Sequence, residues 1–500
     1  MVLKAGEKMG TAHAARLRRM LVSAVAALAL FLPVVLVPVA FASAGPPGPR
    51  TPIRHVVVIT MENHSFDNIF GNYPLGGTSP FSNLTSQLSV PVNLIGAGLT
   101  GSPAPVPPGT YSTPNPVEGY SAYHLDWNNG RMNGFAANSG KQSMTYFTAS
   151  QMAMEWILAE QYAIGDMYFS SALTATMPNR LFGIAGYSPV LNDYGPPPYI
   201  PFSQSIFSEL NSYGISWSYY VANPSLGTIV LDYFYGVHRY SADIRSWSSF
   251  FSELQNGTLP AVSYFMPIGL GISGYSQHPS DSMLAGELWL LYAVQKIMSS
   301  PEWNSTAIFI NYDEGGGYYD NVPPPSVGGQ QLGFRVPLIL ISPYAKENYI
   351  SATPMNHASL LSFIDYNWGM PALNAFVSLS YIPVDMFTFG IPGVQARQPL
   401  NLSLSGITLP SSIGFPLSSV GSAPISYLFP ARPQIPLGSL NYSRTGSSSV
   451  DLAQMHAGLY ISGNYAYTPY YETVEFVGAF MLVLSSLAVV VMYRRHNGRH

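Results

Sequence analysis

His55-Val56-Val57-Val58-Ile59-Thr60-Met61 runs directly into Glu62-Asn63-His64-Ser65-Phe66-Asp67-Asn68. A β-branched apolar run without polar alternation predicts a strand buried on both faces. Its polar atoms gather where the strand stops. Working outward, the pattern recurs at 307–312, an apolar run that ends in Asp313-Glu314-Gly315-Gly316-Gly317-Tyr318-Tyr319-Asp320. Further strands are expected at 214–221, 261–266 and 336–342, with helices at 150–163, 282–298 and 357–368. Strands separated by helices need crossover connections, which predicts an α/β fold with a central, mostly parallel sheet flanked by helices. Ligands of such sheets collect at the carboxyl ends of the strands, where both Glu62 and Asp313 fall.

The chain has 500 residues, 47% of them apolar, enough for one large domain with appendages. Only 9% are Asp, Glu, Lys or Arg, against about 25% in ordinary soluble domains. The net charge of -4, with Lys and Arg concentrated at the termini, offers no footprint for nucleic acid and excludes it as the expected partner. There is no cysteine, which excludes disulfides, thiolate catalysis and thiolate-bound zinc. Residues 84–120 are poor in charge and rich in Pro, Gly, Ser and Thr, which predicts a surface insertion. Past residue 371 the composition changes to Ser, Pro, Gly and Leu, and 372–470 reads as an accessory β-rich region or stalk.

Both ends point to a membrane. Arg16, Arg18 and Arg19 precede an apolar run at 20–41 and then Ala42-Ser43-Ala44, so 1–44 is expected to be a signal peptide or signal anchor. Residues 476–492 form an uncharged apolar run of about 25 Å as a helix, just enough to span hydrocarbon. A buried core helix is the alternative. Arg494, Arg495 and Arg499 follow in a short tail, 493–500, expected to be cytoplasmic. This topology anchors the chain to the cell membrane through its C-terminal helix and leaves the catalytic domain extracytoplasmic. Asn83, Asn256, Asn304, Asn401 and Asn441 open Asn-x-Ser/Thr triplets that suit a glycosylated outer surface.

Three clusters carry chemistry. Glu62 beside Asn63 offers hard oxygens to a divalent cation; in isolation a hydrogen-bonded strand cap is the plainer reading. Adjacent Asp313 and Glu314 repel each other unless a cation or proton separates them, and the glycines after them let backbone approach a ligand closely; an acidic surface turn is the plainer reading. In Thr174-Ala175-Thr176-Met177-Pro178-Asn179-Arg180, Pro178 can start a helix and place the Thr176 hydroxyl at its positive end, either as a nucleophile or as an N-cap. Arg180 suits a phosphate or a structural carboxylate.

Glu62-Asn63-x-Ser65-Phe66-Asp67, Thr176-x-Pro178-Asn179-Arg180, His278-Pro279, Asp313-Glu314-x-Gly316-Gly317 and Ile341-Ser342-Pro343-Tyr344 stand in an order that resembles the phosphoesterase family of bacterial phospholipases C and acid phosphatases. The resemblance covers 52–371 and implies a phosphoesterase catalytic domain there with an alkaline-phosphatase-like fold. It implies that Glu62, Asn63, Asp313 and Glu314, with the Thr176 oxygen, surround a divalent cation, and that Thr176 is transiently phosphorylated. It further implies that His124 and His278 contact phosphate or assist the leaving group, and that Asn63, Arg180 and His357 bind substrate. His357 also suits a helix start. Three positions depart from the family pattern: Gln277 where Glu is frequent, and Asn321 and Ala352 where His is frequent.

The expected function is hydrolysis of a phosphate ester, such as a phospholipid, through a phosphothreonine. A divalent cation lowers the pKa of the hydroxyl and neutralises charge on the leaving oxygen. Oxygen-rich ligation is compatible with calcium, magnesium, manganese or iron. The competing reading is a catalytically silent cell-surface binding protein that keeps the fold, favoured by low charge and the long C-terminal region.

Overall fold

Strand β1, His55–Met61, lies in the middle of an eight-stranded sheet, as its unbroken apolar run requires. The computed structural model describes residues 47–71, 103–193, 199–222, 230–267, 275–389 and 393–400, with short pieces at 92–93, 100–101, 224 and 391. The proposed leader at 1–44, the apolar run at 476–492, the tail at 493–500 and most of 372–470 lie outside the described residues. Among the described residues, no helix is long and apolar enough to cross a membrane.

The other strands of the sheet are β2 Ala163–Gly165, β3 Trp217–Val221, β4 Ile244–Ser246, β5 Val262–Phe265, β6 Thr306–Tyr312, β7 Leu338–Ile341 and β8 Tyr349–Ser351. Their order across the sheet is β4-β3-β5-β1-β6-β7-β2-β8. Every neighbouring pair is parallel except those involving β7, which runs antiparallel to β6 and β2. The expected strand at 336–342 is therefore present but reversed. β2, β4 and β8 were not expected. Each has only three residues, too few for a period to register, and β2 lies at the end of what the sequence reads as one helix over 150–163.

Helices α1 Phe66–Phe70, α2 Tyr120–Trp127, α3 Ala153–Gln161, α4 Thr176–Ala185, α5 Ile206–Ser212, α6 Trp247–Asn256, α7 Met283–Met298 and α8 His357–Trp368 surround the sheet. Strand periodicity assigns them to faces. Phe309 packs on Phe363 of α8 while Tyr312, three residues on and so facing oppositely, reaches Glu155 of α3. Likewise Tyr264 bonds the Gly183 carbonyl of α4 and its neighbour Phe265 packs on Trp289 of α7. The sheet is thus sandwiched, with α3, α6 and α7 on one side and α4, α5 and α8 on the other.

The core continues beyond residue 371: Val377, Met386 and Phe387 are buried in it, and Ala375–Leu379 is a helix rather than a β-like run. The described part of the 84–120 segment is likewise more than a surface insertion. Val106, Tyr111 and Thr113 are buried, and the segment leads Glu118 to the end of the sheet.

Candidate active site

Parallel pairing in register places Met61 beside Tyr312, so Glu62 and Asp313 leave the sheet side by side. The two loops then interlock. The Asp313 backbone N–H donates to Met61 O (3.2 Å), and the Asn63 and Glu314 backbone N–H groups donate to Asp313 Oδ1 at 3.1 and 2.8 Å. Asn63 adopts a left-handed backbone (φ 59°), which asparagine tolerates better than most residues. Gly316 must be glycine: its φ is 63°, and a Cβ there would lie 1.9 Å from Asn63 O.

Arg180 pairs with carboxylates in this structure. From α4 it donates through Nε to Asp313 Oδ2 (2.9 Å) and through Nη2 to Glu62 Oε1 (3.1 Å), with only 4% of its side chain exposed. It is the internal counter-ion of the two strand-end carboxylates. Burial pulls its pKa down, but Asp313 and Glu62 outweigh that and raise it.

Thr176 opens α4 as its first residue, and Ala175 is the N-cap, with no side-chain cap bond. The cap reading is therefore corrected. The orphan amide of Met177 is met by the Asp193 carboxylate (2.6 Å), a residue the sequence did not single out. The Thr176 hydroxyl is left to donate to Asn63 Oδ1 (3.2 Å) at the positive end of the helix. Thr176 is only partly buried, between buried Ala175 and Met177.

Glu118 completes the ring of carboxylates, accepting from Asn63 Nδ2 at 2.9 Å and lying 3.9 Å from His278 Nε2. Glu314 receives the Tyr123 hydroxyl and the Gly316 backbone N–H on Oε2, while its Oε1 is buried without a hydrogen-bond partner among the described residues. Burial pushes Glu62 up to about 7 and Asp193 up to about 6. Burial also raises Glu118, and raises Glu314 well above the carboxylate range. At His278, burial acts downward but Glu62 and Glu118 prevail and raise the imidazole pKa.

The structure thus brings together Glu62, Asn63, Thr176, Arg180, Asp313, Glu314 and, through Glu118, His278. His124 sits on α2 beside Tyr123, its Nδ1 against Tyr120 O (2.7 Å) and its ring beside Tyr120 and Trp127. His357 takes the helix-start role, as the first residue of α8. Its Nδ1 accepts from the Ser171 N–H (3.2 Å), and its Nε2 donates to Tyr312 O (2.9 Å), so both ring nitrogens serve the backbone.

Burial lowers His357 to about 4, which has a consequence for stability. An imidazole whose folded pKa is depressed below its unfolded value of about 6.5 contributes stability that is complete above that pH and is lost as pH falls through about 4. His357→Gln is expected to remove this acid-sensitive part, about 3 kcal/mol over that interval. Its melting temperature should therefore fall less on acidification than that of the wild type, measured by calorimetry from pH 7 downward.

The donor set suits a divalent cation: Glu62, Asn63 Oδ1, Thr176 Oγ, Asp313 and Glu314 are hard oxygens, and the orphaned Glu314 Oε1 lacks a partner. Each carboxylate oxygen accepts more than one bond, so Arg180 need not be displaced. Among the described residues, however, no three His, Asp or Glu side chains already stand in a metal-binding array.

The model of the phosphoesterase family matches residues 53–371, which contain every residue of the ring. Phospholipase C A of Mycobacterium tuberculosis is 29% identical over 437 residues, covering 73% of this chain and 82% of its own. A non-hemolytic phospholipase C of Burkholderia pseudomallei is 28% identical, covering 68% of this chain and 58% of its own. A solved alkaline phosphatase superfamily protein from Vibrio parahaemolyticus shows a distant likeness, with a TM-score of 0.31 and 9% identity over 68% of this chain and 74% of its own. The family match and the two phospholipase C relatives favour a hydrolase over the catalytically silent alternative. The chain belongs to the phosphoesterase family and is a phosphoric ester hydrolase.

Proposed function

We propose that this hydrolase works through Thr176 as nucleophile, with a divalent cation held by Glu62, Asn63, Asp313 and Glu314. The observation that carries the reading is the uncapped Thr176 hydroxyl, donated to Asn63 at the positive end of α4 and beside the paired strand ends. When bound, the cation supplies Lewis acidity that favours the alkoxide and neutralises charge on the phosphoryl group. The Thr176 hydroxyl gives up its proton to solvent as Oγ attacks phosphorus, the ester oxygen departs with a proton from His278, and a phosphothreonine remains. Water then attacks the same phosphorus while His278 takes its proton, and the departing Thr176 oxygen regains a proton from solvent as phosphate or a phosphomonoester is released. His278 suits the proton transfers because its ring faces Glu118 and is about a third exposed, with 30% of the side chain accessible. Arg180 keeps Glu62 and Asp313 apart in charge and together in space.

The names of the relatives favour a phospholipid among phosphate esters. We place the catalytic domain outside the cell, anchored through 476–492, on the strength of the Arg-flanked apolar runs at both ends. Stripping the full-length protein with a chelator is expected to lower hydrolysis of phosphatidylcholine or a small aryl phosphate by at least about a hundredfold. Adding back calcium, magnesium, manganese or iron one at a time should restore it with one of them. Full activity in the chelator would refute the cation's role.

A further inference from the structure

The chain places more negative charge around Thr176 than cation ligation alone would need. Besides Glu62, Asp313 and Glu314, two further carboxylates stand at the site, Glu118 on Asn63 and Asp193 on the Met177 amide. Glu118 is the more accessible member of the ring, with 19% of its side chain exposed against 8% for Glu62 and 0% for Asp313. The same Asn63 amide joins it to the nucleophile, Oδ1 receiving the Thr176 hydroxyl and Nδ2 donating to Glu118. Adding the width of an amide to those two bonds puts Glu118 Oε1 no more than about 8 Å from Thr176 Oγ. A charge at that range, on the solvent side of a partly buried site, acts directly on the charge of the bound phosphate.

We propose that Glu118 is a specificity-determining residue that selects phosphodiesters, which carry one negative charge, over phosphomonoesters, which carry two. The inference rests on the reading of Thr176 as the reacting group and adds to it the class of substrate. The two positive groups among these side chains, Arg180 and His278, are already paired with carboxylates. One divalent cation brings the site near neutrality but leaves no surplus to meet a second phosphate charge. The carboxylate at the lip penalises that second charge, whereas a diester avoids it.

The test compares kcat/KM for bis(p-nitrophenyl) phosphate with that for p-nitrophenyl phosphate at about pH 8, where both phosphates are fully ionised. Glu118→Gln keeps an acceptor for Asn63 Nδ2 and removes only the charge. It is expected to shift the diester-to-monoester ratio about tenfold toward the monoester, with Glu118→Lys, cationic at that pH, shifting it further in the same direction. Thermal melts of both variants confirm the fold. A ratio equal to that of the wild type in both folded variants, even with both rates reduced, overturns the proposal and leaves Glu118 a positioning residue for Asn63. Undiminished activity of Thr176→Ala on both esters would instead overturn the nucleophile assignment, so the two failures are distinguishable.

Discussion

Thr176→Ala is expected to lower turnover of any phosphate ester by at least about ten-thousandfold, the scale of removing a nucleophile that acts together with its partners. The variant should fold. The threonine hydroxyl does not cap its helix, because the Met177 amide is already satisfied by Asp193. Removing it costs only the bond to Asn63 Oδ1, about 1 kcal/mol. Steady-state hydrolysis of an aryl phosphate, with circular dichroism as the control for folding, checks the expectation. Thr176→Ser, which keeps an oxygen at the same atom position, should retain measurable activity, as a purely steric role for the threonine methyl would not require.

Arg335→Met is expected to be the most damaging change to the fold. Arg335 is wholly buried and faces three carboxylates: Asp67 through Nη2 (2.9 Å), Asp166 through Nη1 (2.8 Å) and Asp320 through Nε (3.1 Å). Its guanidinium also sits 4.4 Å over the Phe66 ring. Asp67 lies in α1 just after β1, and Asp166 and Asp320 lie in the loops that follow β2 and β6, so one side chain clamps the segments that follow the strands leading to Glu62 and Asp313. Burial pushes Asp67 well above the carboxylate range even with Arg335 present, and burial likewise raises Asp320. Without the cation, the aspartates are left mutually repelling in a dry interior, a loss of about 3–5 kcal/mol or more. Chemical denaturation should show a correspondingly lower midpoint, or the variant should fail to accumulate in soluble form. A midpoint equal to that of the wild type would show that the cluster is not held by its arginine.

The features legible in the sequence were those written in consecutive residues. The apolar runs that end in Glu62-Asn63 and Asp313-Glu314 located the two central strands, and parallel pairing set their ends side by side. Thr176 announced itself through Pro178 and Arg180 in the same short stretch. What stayed hidden depended on distant pairing. Glu118 follows a Pro-rich segment with no period of its own, and only its contact with Asn63 reveals a role. Asp193 caps a helix from outside it, sixteen positions beyond Met177, where a local rule looks to Ala175 or Thr176. Arg335 alone carried a signal, a charge just before an apolar strand, yet its three partners span the chain from Asp67 to Asp320. The reversal of β7 was invisible because an apolar run reads the same in either direction.

The phosphoryl group itself gives the most direct test of the reaction pathway. Wild-type protein mixed with excess aryl phosphate, quenched in acid within the first turnovers, digested and analysed by mass spectrometry, should yield a phosphorylated peptide with the group on Thr176. That species should rise and decay at the rate of turnover. A phosphoryl group recovered on another side chain, or rapid turnover with none on the protein, would contradict the mechanism.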